Sequence, residues 1–143
     1  AGVSATEISP QICELVRKNF PNVDARVAYS HSLPFEDSVF DCCVGIHSLY
    51  YCQEAAFPDI LEEVKRVLKE NGGRLICSIP TSNSYLVDGN KCYDGYCQVE
   101  NDPLGIRNGL RIKLYETSDE WELQLIEMGY QNIFIGKSDS NWW

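Results

Sequence analysis

A chain of 143 residues, 44% hydrophobic and 23% charged, has the composition of one globular domain long enough to bury a core. Its formal net charge of −9, with only 12 lysines and arginines, repels phosphate backbones and argues against autonomous nucleic-acid binding. No apolar run reaches bilayer-spanning length, and the first residues lack the basic flank and apolar stretch of a signal peptide. No membrane attachment and a cytoplasmic location are therefore expected.

In chain order, Val3 to Thr6 is predicted as a short strand ending on Glu7. Ser9-Pro10 then starts a helix, with serine as N-cap and proline at the first helical position. Ile12, Leu15, Val16 and Phe20 fall on one helical face, and Pro21-Asn22 stops the helix. Arg26 to Tyr29 is a weaker strand, and Leu33 to Ser38 a turn-rich loop. Phe40 to Ile46 is nearly all apolar and reads as a strand buried on both faces. The next helix has Pro58 near its start, Ile60, Leu61, Val64, Val67 and Leu68 along one side, and Gly72-Gly73 at its end. Arg74 to Ile79 is another buried strand, stopped by Pro80. Strand and helix alternate at βαβ spacing, which predicts an α/β fold with a mostly parallel sheet flanked by helices on both faces.

Residues 81–108 break that rhythm: the stretch is rich in Asn, Gly, Tyr and Asp, and a loop of that length is expected to be a functional insert or lid. Tyr85, Tyr93 and Tyr96 either cover an uncharged or cationic substrate or anchor an irregular loop. Leu110 to Tyr115 alternates as a strand, and Thr117-Ser118-Asp119-Glu120 is a capping box for a helix ending at Gly129. Tyr130 to Ile135 is the last, antiparallel strand. The seven cysteines are an odd number, and adjacent Cys42-Cys43 on one strand would point to opposite faces. They read as reduced thiols acting as small apolar residues. Cys92 and Cys97 lack a second cysteine or histidine pair at finger-like spacing, so no metal site is expected. One domain over residues 1–143 accounts for all of these elements.

Four segments resemble the class I S-adenosylmethionine-dependent methyltransferase family, particularly its small-molecule branch. Thr6-Glu7-Ile8-Ser9-Pro10 looks like the family's second strand running into its second helix. Leu33-Pro34-Phe35-Glu36-Asp37-Ser38-Val39-Phe40-Asp41 is similar to the signature before its fourth strand. Glu63 through Arg66-Val67-Leu68-Lys69 to Gly72-Gly73-Arg74-Leu75 resembles the segment entering its fifth. Tyr115-Glu116-Thr117-Ser118, with the later Gly129-Tyr130, is similar to its closing helix and strand. Each motif alone is weak; together they span about nine-tenths of the chain in the expected order.

The resemblance implies a Rossmann-like fold, S-adenosylmethionine as cofactor and a small-molecule methyl acceptor. It places the ribose-binding acid on Glu7, an adenine-packing residue on Ile8, and adenine recognition at Tyr29-Ser30, where the family commonly has an acid followed by a small residue. Gly45, Ile46 and His47 fall where cofactor and substrate meet. Gly45 is a cofactor-side candidate, and His47, whose ordinary pKa lies near neutrality, is a candidate general base. The alternative for Glu7 and His47 is a solvated charge and a structural histidine. Tyr50 and Tyr51 either line the pocket or pack, and His31 is expected to be exposed.

Gly2 is the only glycine before Gly45, so the family's glycine-rich loop and its first, central strand are expected to be missing. The flanking strands would then stand about 10 Å apart with unpaired edges. Upstream sequence, a partner chain or a direct re-pairing would each repair the gap, and an open edge favours a homodimer. Two functions follow: a methyltransferase completed by the missing segment, or a non-catalytic, methyltransferase-like binding or regulatory protein. A dehydrogenase-like domain fits the later motifs less well.

Overall fold

A computed structural model describes residues 2–53 and 55–137. The chain divides into two compact units, residues 1–78 and 79–143. The first unit holds two βαβ units in series. Strand β1 (Val3–Glu7), helix α1 (Pro10–Asn19) and strand β2 (Val23–Val27) form one; β3 (Cys42–Gly45), α2 (Phe57–Val67) and β4 (Arg74–Cys77) form the other. Both strand pairs are parallel, with Val3 beside Val23 and Cys42 beside Arg74.

Local chemistry explains the helix ends. Ser9 Oγ accepts from the Ile12 N–H at 3.3 Å, and Pro10 occupies the first turn, as its sequence predicts. On the apolar face of α1, Ile12, Leu15 and Phe20 are exposed, and Cys13 is the buried residue of the helix. Helix α2 follows its periodicity, with Ile60, Leu61, Val64 and Val67 all buried. Its C-terminal turn zips to the chain before β3: Ser38, Val39 and Phe40 donate backbone N–H groups to Arg66 and Val67, and Lys69 N–H donates to the Phe40 carbonyl.

The expectation of strands buried on both faces is also corrected. Register puts Val44 and Ile76 side by side on one face of β3–β4, where they are 67% and 53% exposed. Cys43, Leu75, Gly45 and Cys77 occupy the other, covered face. Among the described residues β1 pairs only with β2 and β3 only with β4, so each strand keeps one edge without a ladder, and no direct β1–β3 re-pairing occurs.

The second unit is an antiparallel sheet, β5 (Lys91–Tyr93), β6 (Tyr96–Gln98) and β7 (Arg111–Lys113), followed by helix α3 (Ser118–Glu127). Residues 81–108 are therefore not an irregular loop throughout. Asp94 and Gly95 both have positive φ, 52° and 71°, which closes a two-residue hairpin between β5 and β6. Cys92 and Cys97 face each other across it and form a disulfide, correcting the reading of all seven cysteines as reduced thiols. Farther along, buried Asp102 accepts from the Arg107 backbone N–H at 3.1 Å and its guanidinium at 3.3 Å, pinning the turn before β7. Thr117 Oγ1 accepts from the Glu120 N–H at 3.2 Å and caps α3, which ends at Gly129 with φ 77°. Tyr130 to Ile135 is not a strand: Asn132 turns at φ 55°, and Phe134 is 94% exposed, with no ladder beside it among the described residues.

Candidate functional site

In parallel sheets, ligands collect beyond the carboxyl ends of the strands, where loops and helix starts expose backbone and side-chain donors. At that end of the first unit, two groups of candidate residues assemble. Glu7 is the last residue of β1 and half-buried, and its Oε1 accepts from the Ser9 N–H at 3.0 Å. Its carbonyl accepts from Ala28 N–H at 3.1 Å, so the ladder brings Tyr29 and Ser30 out beside Ile8. Ile8 and Tyr29 are both exposed. Tyr29 is held in a tight turn by the Ser32 N–H, which donates to its carbonyl at 3.0 Å, and its ring lies 5.6 Å from that of His31. His31, expected to be exposed, is half-buried here.

The second group stands at the ends of β3 and β4. Gly45 is buried, and a Cβ on it would sit 2.4 Å from Leu49 Cγ. Its missing side chain thus admits Leu49. His47 takes φ 53°, a left-handed conformation uncommon for residues other than glycine. It is held by Ser78, just past β4, whose Oγ accepts from the His47 N–H at 2.8 Å and lies 3.5 Å from Nδ1. In the tautomer protonated at Nδ1, the ring donates to Ser78 and leaves exposed Nε2 as an acceptor. Sequence reasoning missed Ser78; the available signal was a polar residue within the otherwise apolar end of the strand predicted over 74–79, which the structure ends at Cys77 beside Gly45. The strand ladders thus join Glu7 to Tyr29 and Gly45 with His47 to Ser78. No hydrogen bond or ion pair links the two groups among the described residues.

The nearby thiols are inert by comparison. Burial pushes both Cys43 and Cys77 up to about 11, so they stay protonated near neutral pH and serve as packing. Tyr50 is buried and its ring centroid lies 4.7 Å from that of Tyr51, which favours packing over pocket lining.

A clasp holds the loop that precedes β3. Arg66 on α2 reaches the carbonyls of Leu33 and Phe35 at 3.1 and 2.9 Å, and Asp37 Oδ1 at 2.5 Å. Glu63, one turn earlier, receives the Arg66 guanidinium at 2.7 and 2.8 Å and the Leu33 N–H at 2.6 Å. Arg26 adds a hydrogen bond to the Pro34 carbonyl. The hydrogen bonds from Arg66 hold the Glu63 carboxyl below its usual range, and Arg66 is raised in return. The two sequence motifs at 33–41 and 63–68 are therefore each other's binding partners, a pairing that spacing alone does not reveal.

A profile of the methyltransferase domain family matches residues 1–72. An uncharacterised methyltransferase-like protein of Schizosaccharomyces pombe is 34% identical over 73 residues, covering 49% of this chain and 26% of the relative. The sterol 4-C-methyltransferase strm-1 of Caenorhabditis elegans is 24% identical over 133 residues, 89% of this chain and 39% of its own length. Among solved structures, a SAM-dependent methyltransferase of Thermotoga maritima superposes with TM-score 0.65 at 22% identity, over 91% of this chain and 55% of that one. One from Methanosarcina mazei gives 0.65 at 21% identity, over 89% and 68%. The chain thus spans between a quarter and two fifths of the length of these curated relatives, and the solved structures share its Rossmann-like α/β fold. Half the sequence matched by the family profile, together with the fold, places the chain in the class I S-adenosylmethionine-dependent methyltransferase family.

Proposed function

We propose that the chain is a single methyltransferase-like domain that binds S-adenosylmethionine at the ends of β1 and β2 and directs its methyl group to a small molecule. Glu7 carries this reading. A half-buried carboxylate at the end of a parallel strand is the group that accepts both hydroxyl protons of a ribose. Exposed Ile8 and Tyr29 beside it offer an apolar and an aromatic surface to a purine ring, and the Ser30 backbone adds a donor. This donor set fits the adenosine half of the cofactor. Gly45 contributes sterically, because its lack of a side chain leaves room for Leu49 at the end of β3.

When bound, the cofactor supplies a methyl group already activated on a sulfonium centre. What remains for the protein is to hold the acceptor in line, exclude water and take a proton. His47 would take it at Nε2, with Ser78 orienting the ring through Nδ1. The open edges of β1 and β3 support completion of the sheet by a further strand, from elsewhere in the polypeptide or from a second copy in a homodimer. The five free cysteines favour a cytoplasmic setting, whereas the Cys92–Cys97 disulfide favours an oxidising one. A second reading, a non-catalytic binding or regulatory subunit, is favoured by Tyr29 standing where the family commonly has an acid.

Calorimetric titration of S-adenosylhomocysteine separates the two. The 143-residue chain, or a form extended at its N-terminus, should bind, and Glu7→Gln should weaken binding about tenfold by removing a charge-assisted acceptor. Absence of binding in both forms would sink the methyltransferase reading and leave the non-catalytic one. Light scattering that shows only monomer would count against strand donation between copies.

A further inference from the structure

We propose that the outer face of the β5–β6–β7 sheet binds a small organic phosphate that carries a planar ring. The inference concerns the second unit alone and does not depend on the cofactor reading. Register places Lys91, Gln98 and Arg111 in one row straight across the three strands, with Tyr93, Tyr96 and Lys113 in the adjacent row. Cross-strand partners share a face, so all six side chains leave the same side of the sheet. Cys97 and Ile112, between them in sequence, are fully buried on the opposite side.

The charge on this face is the first observation that points to an anion. The chain carries −9 overall and 12 basic residues, yet three of those residues share a patch three strands wide. Arg111 and Lys113 lie 4.0 and 4.8 Å from the centroid of the Tyr96 ring, so two cations converge on one aromatic. The ring's negative face offsets part of their repulsion, and an anion would offset the rest. Among the described residues Arg111 forms no ion pair; Lys91 approaches Glu100 only at 3.9 Å, with both side chains well exposed. Asp94 sits in the turn at the rim, where it disfavours an anion extending beyond the hairpin tip.

Shape and spacing narrow the ligand. A depression of about 280 Å³ lies on this face, lined by Lys91, Tyr93, Tyr96, Gln98 and Arg111, with Asp94 and Cys97. Lys91 and Arg111 stand on the two outer strands, about 10 Å apart at the backbone, with the Gln98 amide between them. Long side chains reaching inward from both sides can share the oxygens of one tetrahedral dianion, and the guanidinium fork matches phosphate geometry. Tyr93, in the next row, is 88% exposed and offers a ring face for a planar group attached to that phosphate.

Phenyl phosphate titrated into the full chain, followed by calorimetry and amide chemical shifts, tests the proposal. Saturable binding is expected, with shifts centred on residues 91–98 and 111–113. Lys91→Gln and Arg111→Gln should each weaken it about tenfold, as loss of a charge-assisted contact does. Tyr93→Ala should weaken it severalfold, whereas Tyr93→Phe keeps the ring and should leave affinity unchanged. Inorganic phosphate should bind more weakly, and phenol not detectably. Equal affinity for phenyl phosphate and inorganic phosphate would overturn the ring-binding half of the proposal. Binding that ignores Lys91→Gln and Arg111→Gln, or shifts that map elsewhere, would overturn all of it. The hairpin amide spectrum of each variant reports whether the sheet stays folded.

Discussion

The clasp around residues 33–41 and the hairpin at 91–98 are both held by a few polar contacts, yet they are built in opposite ways. In the clasp, one arginine and one glutamate on a helix reach a loop about thirty residues earlier and satisfy three of its backbone groups. In the hairpin, the ordering is local: two residues with positive φ turn the chain and a cross-strand disulfide closes it. Each region is vulnerable at a different point. A long-range clasp fails through its side chains, whereas a short hairpin fails through its backbone.

The largest effect should come from Arg66→Met. It preserves the aliphatic stem but removes hydrogen bonds to Leu33, Phe35, Asp37 and Glu63, and leaves the Glu63 carboxylate without its cation. Hydrogen bonds to charged groups contribute about 1.5–3 kcal/mol each where unshared, so a loss of about 3 kcal/mol is expected. Hydrogen exchange should then speed up across 33–41, while amides of 91–113 keep their protection. Equal loosening of both regions would break the contrast.

Gly95→Val attacks the hairpin through its backbone. A branched residue at φ 71° is strained, and its Cβ would fall onto the Lys113 ammonium group. A cost of about 2 kcal/mol is expected, read as faster exchange of the β5 and β6 amides. Thr117→Ala tests a contact of intermediate design, a side chain capping its own helix, and should cost about 1 kcal/mol in chemical denaturation.

These sites differ in how legible they were in the sequence. The caps at Ser9 and Thr117 and the buried stripe of α2 were readable because their signals lie within one helical turn of the structure they specify. The Asp94-Gly95 turn was equally local, but three-residue strands gave too little alternation to outweigh a composition rich in Asn, Gly and Tyr. The clasp was visible as two motifs without their mutual contact, since nothing in either segment names a partner thirty residues away. At the candidate site, Glu7 and His47 were named through the family resemblance, which sets them at strand ends, and Ser78 was missed because its contact with His47 exists only once β3 and β4 lie side by side. The predicted strand at 130–135 failed because alternation does not make a strand where, among the described residues, no ladder stands beside it.

The smallest expected effect is the acid response of the clasp. Glu63 is held below its ordinary value of 4.5, first by the hydrogen bond from Arg66 and then by that from Leu33. A depressed carboxyl contributes stability that is fully present above the unfolded value and disappears as pH falls through the lowered folded one. Stability should therefore be flat from neutrality down to about pH 5 and decline below 4.5 as Glu63 protonates. The decline is modest because Arg66 keeps its bonds to the Leu33 and Phe35 carbonyls when Glu63 is neutral. Comparing the denaturation midpoint against pH for the native chain and Glu63→Gln isolates this part of the acid response. The glutamine variant should start lower at neutral pH, and the gap between the two should narrow as acid is added. A gap that stays constant below 4.5 would show that the Glu63 charge contributes nothing to the clasp.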